Sequence, residues 1–139
     1  MKSIKSTFLL KKLSSLLMYN GKKKLILKSV LKTLQNFPTK NVCLLTTIFH
    51  RIKPILETRK VRKGSKFYDV PFIIKKSRAV SLLLRWVVKS IRKHPNLFLG
   101  INNEFKDLIS GLGTTNKESR TLRAKVASNI MYSHFRWKA

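Results

Sequence analysis

Thirty-one lysines and arginines stand against five aspartates and glutamates in this chain of 139 residues, a formal net charge of +26. Self-repulsion at that level opposes any compact state of the isolated chain, so a polyanion is expected to be part of the folded state. A surface charged only for solubility would mix both signs. The basic residues are spread along the sequence rather than gathered in one terminal block, which favours a polyanion touched by many elements. Nucleic acid or an anionic membrane surface would serve. Hydrophobic residues make up 43% of the chain, which separates it from the charge-swollen sequences that stay disordered. The length predicts one domain, 1–139, burying about two-thirds of the surface its unfolded chain exposes.

Several function classes fall away. Cys43 is the single cysteine, so no intrachain disulfide or cysteine-based zinc site can form, and a reduced compartment is implied. Lys or Arg interrupts every apolar run before the roughly 18 residues a spanning helix needs, as Arg85 does in AVSLLLRWVV. There is no phosphate-binding glycine loop, dinucleotide fingerprint or paired metal-ligand motif, and the histidines and acids are scattered. His50 has no partner at ligand spacing and reads as structural or surface. Glu104 and Asp107 lie three apart but with no sign of an enclosing pocket, so they read as surface carboxylates. No enzyme, cofactor or metal is expected.

Apolar periodicity predicts a mainly α fold, a bundle of about six helices. Leu9, Leu10, Leu13, Leu16 and Leu17 share one helical face, stopped by Asn20-Gly21. Lys22, Lys23 and Lys24 open a second helix carrying Ile26, Leu27, Val30, Leu31 and Leu34. Three cations at a helix start oppose the macrodipole, so either a phosphate or solvent accompanies them. Leu44, Leu45, Ile48, Phe49 and Ile52 mark a third helix closed by Pro54, with Cys43 packed near its start.

Between the third and fourth helices the period changes. Ile55 to Arg62 and Lys66 to Ile74 are rich in β-branched and aromatic residues and flank Gly64-Ser65, predicting a β-hairpin arm over about 55–74. Its base is apolar (Ile55, Leu56, Val70, Phe72, Ile73, Ile74), whereas Arg59, Lys60, Arg62, Lys63 and Lys66 crowd the tip. Alternation puts cations on both faces there, so the arm is expected to protrude rather than lie on the core. A two-stranded ribbon of this kind fits a nucleic-acid groove.

In the fourth helix Val80, Leu83, Leu84, Val87, Val88 and Ile91 form a core face. Arg78, Arg85, Lys89 and Arg92, with Lys93, form a second stripe. No acid lies between Asp69 and Glu104, so local salt-bridge partners are not expected and phosphate is the predicted one. Trp86 reads as an edge of the core or a base-stacking platform. A fifth helix begins at Pro95-Asn96 with Ile101, Phe105, Leu108, Ile109 and Leu112 inward. Asn116 is a plausible N-cap for a sixth that carries Leu122, Val126, Ala127, Ile130 and Met131 toward Phe135-Arg136-Trp137.

The strings LLKKLSSLLMYNGKK, KPILETRKVRKGSKFYDVP, AVSLLLRWVVKSIRK, NEFKD and ASNIMYSHFRW, in this order, resemble the universal small-subunit ribosomal protein seven family over nearly the whole chain. Tyr68-Asp69-Val70-Pro71, Arg85-Trp86 and His134-Phe135-Arg136-Trp137 carry most of that likeness. The resemblance implies an rRNA-binding helical protein with a protruding hairpin, assembling the 3′ major (head) domain of the small subunit near the mRNA exit path and exit-site tRNA. Neighbouring ribosomal proteins are implied as further partners. By position it places RNA contacts at Lys22 to Lys24, at Arg59 to Lys66, and at Lys75, Lys76 and Arg78. Lys117, Arg120 and Arg136 join them.

Departures from the family pattern are the Gly64-Ser65 tip, where paired glycine is usual, and short ends at Met1 to Ser6 and Ala139. The start Met1 to Leu17 is basic and acid-free like an organelle transit peptide, but its apolar spacing assigns it to the fold. The Y-D-V-P and F-R-W forms, the short ends and the Lys, Leu, Ile and Asn richness look mitochondrial rather than plastid or bacterial. Two readings compete with a structural rRNA binder. An architectural DNA-binding protein can carry a basic β-arm, although Lys63 to Lys66 offer no apolar wedge. A cationic membrane-surface protein would use the amphipathic first helix, although every other helix is amphipathic too.

Overall fold

The computed structural model describes residues 6–36, 46 and 49–138, with side chains for 8–36, 46 and 49–136. Helix α1 (Ser6–Leu17) and helix α2 (Lys23–Gln35) are joined by a tight reversal in which Asn20 and Gly21 take φ of 48° and 72°. That left-handed geometry suits glycine and tolerates asparagine, which is why the Asn-Gly pair stops the first helix. Helix α3 is described at residues 46 and 49–52. Strands β1 (Leu56–Lys63) and β2 (Lys66–Ile73) follow as one antiparallel hairpin, then α4 (Lys76–Ile91), α5 (Leu97–Ser110), α6 (Thr114–Ser128) and a 3-10 segment, Ile130–Lys138. The expected mainly α architecture, with one hairpin between the third and fourth helices, is present.

The core lies where the periodicity puts it. Leu9, Leu13 and Leu17 of α1, Ile26, Val30 and Leu34 of α2, and Phe49 and Ile52 of α3 meet Leu83, Leu84, Val87 and Ile91 of α4. Ile101, Phe105 and Leu108 close it from α5. Gly100 allows α5 to approach α4 closely, because a Cβ there would lie 2.8 Å from the Ile91 carbonyl oxygen. Arg92 donates from its guanidinium to the Leu16 carbonyl at 3.0 Å and Lys12 donates to Ser81 at 2.6 Å, so basic side chains help tie α1 to α4.

Some expected core positions are outside. Leu31, Ile109 and Leu112 are exposed, as are Ala127, Ile130 and Met131, while Leu16, Leu27 and Leu122 are half-buried. Gly111 takes φ 79° and reverses the chain after α5, which carries Leu112 off the helical face. Helix α6 opens at Thr114 behind Gly113, so Asn116 is inside the helix rather than its cap. Its buried positions are Thr115, Ser119 and Val126, and it ends at Ser128, so the apolar spacing that continued through Ile130 and Met131 belongs to the 3-10 segment instead. At the hairpin base Val70 and Ile74 are buried but Ile55 and Ile73 are exposed. Trp86 is half-buried and His50 exposed, whereas Cys43, Leu44, Leu45 and Ile48 lie outside the described residues.

Candidate nucleic-acid interface

The arm has two unlike faces. Cross-strand partners share a face, and the register pairs Lys63 with Lys66, Val61 with Tyr68, Arg59 with Val70 and Glu57 with Phe72 on one side. The alternate pairs, Arg62 with Phe67, Lys60 with Asp69 and Thr58 with Pro71, occupy the other. On the first face the Tyr68 ring lies 5.2 Å from those of Tyr132 and Phe135 in the 3-10 segment, and Lys63 Nζ stands 3.9 Å above the Phe135 ring. Asp69 pairs with Lys125 of α6 at 2.8 Å. The expected cations are on both faces of the tip, Lys63 and Lys66 on one and Lys60 and Arg62 on the other, but the arm does not simply protrude. Instead one face is braced nearly to its tip, because two strands cannot cover Tyr68 and Val70 by themselves. The turn is as expected: Gly64 takes φ 63° between Lys63 and Lys66.

Glu57 connects the arm to α4. Its carboxylate, 6% exposed, accepts from Arg78 Nε at 2.8 Å and from Arg59 Nη2 at 2.6 Å. Burial alone would raise this carboxyl; the hydrogen bonds and charges of Arg78 and Arg59 outweigh it and hold Glu57 below the ordinary glutamate range. The stripe on α4 therefore does have acid partners, supplied from distant elements: Glu57 for Arg78, and Glu118 of α6 for Lys89 at 3.0 Å. Separations of 21 and 29 residues hid these pairs from a local reading.

Glu104 is likewise corrected. It is 2% exposed, not a surface carboxylate. Thr115 donates to its Oε1 at 2.5 Å, Ser90 donates to its Oε2, and Thr114 donates to Ser90 at 2.6 Å. Burial pushes the Glu104 carboxyl above its usual value, against the pull of the Ser90 and Thr115 hydroxyls. This node fixes the opening of α6 against α4 and α5. Asp107, the other acid of the Glu104–Asp107 pair, is exposed as expected.

The sequence contains only five acids, and Arg59, Arg78, Lys89 and Lys125 are among the described cations they pair with. Every basic residue expected to contact RNA is exposed except Arg136, which is half-buried in the 3-10 segment. Arg85, Lys89, Arg92 and Lys93 line one open cleft with Leu16 and Val88, and Arg78 and Arg85 line a second with Ser77, Ser81 and Leu82. Arg85 belongs to both, so the clefts form one basic groove along α4. Lys75 and Lys76 precede it at the start of α4, and the Lys89–Glu118 pair ties the opening of α6, which carries Lys117, to α4. Arg120 donates to the Gly111 carbonyl at 3.4 Å on the same helix opening. Among the described residues no side-chain contact joins Lys22, Lys23 or Lys24 to this groove. No cluster of potential metal ligands occurs among the described residues, and no helix there is long and apolar enough to cross a membrane.

Residues 2–125 match the ribosomal protein S7p/S5e family. The chain belongs to this family. It is 31% identical to the small ribosomal subunit protein uS7 of Petrotoga mobilis over 93% of this chain and 87% of that one. Against uS7 of Pelagibacter ubique identity is 31% over 91% and 85% of the two chains, and against that of Wigglesworthia glossinidia brevipalpis 27% over 93% and 86%. Membership makes this a structural ribosomal component rather than an enzyme. Local reading missed the roles of Glu57 and Glu104. Only Glu57 carried a signal, as a lone acid leading into the basic arm.

Proposed function

We propose that this protein is a structural constituent of the small ribosomal subunit whose single domain, 1–139, binds the 3′ major (head) domain of small-subunit rRNA and supports head assembly near the mRNA exit path and exit-site tRNA. Family membership and the names of its relatives support the subunit. The observation that carries RNA binding is the Glu57 clamp, which holds the cationic arm and the basic groove of α4 in one geometry. Phosphates would meet Lys60, Arg62 and Lys66 on the arm, Lys75, Lys76, Arg85, Lys89, Arg92 and Lys93 along α4, and Lys22 to Lys24, Lys117 and Arg120 beyond them. Arg59, Lys63 and Arg78 contribute while also bracing the arm, and Arg136 contributes from the 3-10 segment. RNA helices are read mostly by shape and backbone, which suits a surface rich in cations and poor in acceptors.

The ribosome concerned is mitochondrial in this proposal, on the Tyr68 to Pro71 and Phe135 to Trp137 forms and the Lys, Leu, Ile and Asn richness. Crosslinking in cells followed by sequencing of the bound RNA tests both parts. Recovery of mitochondrial small-subunit head rRNA is expected. Recovery of cytosolic rRNA would overturn the location, and recovery mainly of duplex DNA would overturn the function.

A further inference from the structure

Phe67 is 68% exposed one residue from the arm's turn, on the face opposite the aromatic brace. Its cross-strand partner is Arg62, and Lys60 is the next cation along that face. Both are exposed, and among the described residues Phe67 makes no ring or cation–π contact. The other arm aromatics are engaged: Tyr68 by Tyr132 and Phe135, and Phe72 by Arg59, whose guanidinium lies 5.3 Å from the ring centre. One ring at the far end of the arm is thus left without an aromatic or cation–π partner, opposite Arg62 and diagonal to Lys60, whose own cross-strand neighbour Asp69 is paired with Lys125.

We propose that Phe67 is a stacking platform for an unpaired RNA base whose flanking phosphates are held by Lys60 and Arg62. A base offers a π-face of matching size and brings its own negative charge within a few ångströms of it, so ring and cations are satisfied by one ligand. An apolar protein surface seated on Phe67 would bury Lys60 and Arg62 without supplying a counter-charge. A paired duplex keeps its bases stacked on each other and offers the arm only phosphates. This inference rests on the rRNA-binding reading and adds the class of nucleotide that the arm selects.

The test uses the full chain and two RNA probes of equal length, one a head-domain fragment with its unpaired loop intact, the other fully paired by a complementary strand. Affinities are measured for the natural protein and for Phe67→Ala, Phe67→Leu and Phe67→Tyr, with far-UV circular dichroism to confirm equal folding. Stacking on one base predicts that Ala weakens binding to the looped probe by about 5- to 150-fold. Leu should do nearly as badly, Tyr should bind as the natural chain does, and the paired probe should not distinguish the four. Equal binding by Ala and the natural protein would overturn the platform, and so would full rescue by Leu. An equal loss on both probes would overturn base selection. Failure of the natural protein to bind either RNA would instead remove the rRNA reading beneath it, and is recognised from the unsubstituted chain alone.

Discussion

In the helical body, side chains such as Leu84, Val87 and Ile101 are sealed from solvent, whereas the arm is only two strands wide and, toward its tip, leaves one face exposed at Lys60, Arg62 and Phe67. Nearer the base of that face Asp69 pairs with Lys125 and Pro71 is buried. The body spends its apolar residues on itself and turns its cations outward along α4. The arm borrows its cover from the 3-10 segment at the end of the chain, through Tyr132 and Phe135, and its anchorage from Glu57. In the body, stability and the proposed RNA contact fall mostly on different residues, with Arg92 and Lys89 serving both, whereas on the arm's braced face the two roles overlap. There Arg59 and Lys63, both proposed RNA contacts, are also partners for Glu57 and Phe135.

Substitutions can break this contrast. The largest effect is expected in the body: Leu84→Ala should cost about 2–5 kcal/mol of folding stability, read from denaturant midpoints. If it instead weakened RNA binding with stability intact, the division of roles would fail. Next comes the arm's open face. Lys60→Ala with Arg62→Ala should leave helicity and stability alone while lowering the salt slope of RNA binding by about 1.4, two phosphates' worth. The same pair of changes at Arg59 and Lys63 should lower the slope less and loosen the arm, seen as faster amide exchange in β1 and β2. Identical outcomes for the two pairs would erase the distinction between faces. Smaller still, Glu57→Gln should cost about 1 kcal/mol, since both its arginines are half in solvent.

The two buried glutamates sharpen the comparison through pH. Glu57 has a depressed folded pKa, so its contribution is present above its unfolded value and is lost as pH falls through the folded one. Glu104 has a raised folded pKa, so its contribution is full below the unfolded value and is lost as pH rises through the folded one. Denaturant midpoints followed against pH should show a shallower acid limb in Glu57→Gln. In Glu104→Gln the decline on raising pH above the ordinary glutamate range should be smaller. Reversed assignments would contradict the two environments described for these carboxylates.

Much of this was legible in the chain. The face from Val80 to Ile91 is buried as its period demands, and Asn20-Gly21 and Gly64-Ser65 turn where they should. Local patterns cannot report partners far apart in sequence. Arg78 looked unpaired because Glu57 lies 21 residues away, and Glu104 looked exposed because its hydroxyl partners, Ser90 and Thr115, are 14 and 11 residues away on other helices. Phe67 was counted among strand-forming aromatics, and only the register shows that it and Tyr68 face opposite ways. Ile130 and Met131 kept helical spacing past the end of α6, so the brace they begin read as more helix.

The claim at the centre is that cations left over from internal pairing meet RNA phosphates, and the salt dependence of affinity for a head-domain rRNA fragment tests it most directly. With eight phosphate contacts the log–log slope should be about −5.6, moving to about −4.2 when Lys60 and Arg62 are both alanine. A nearly flat salt dependence, or a slope unchanged by those two substitutions, would contradict the account.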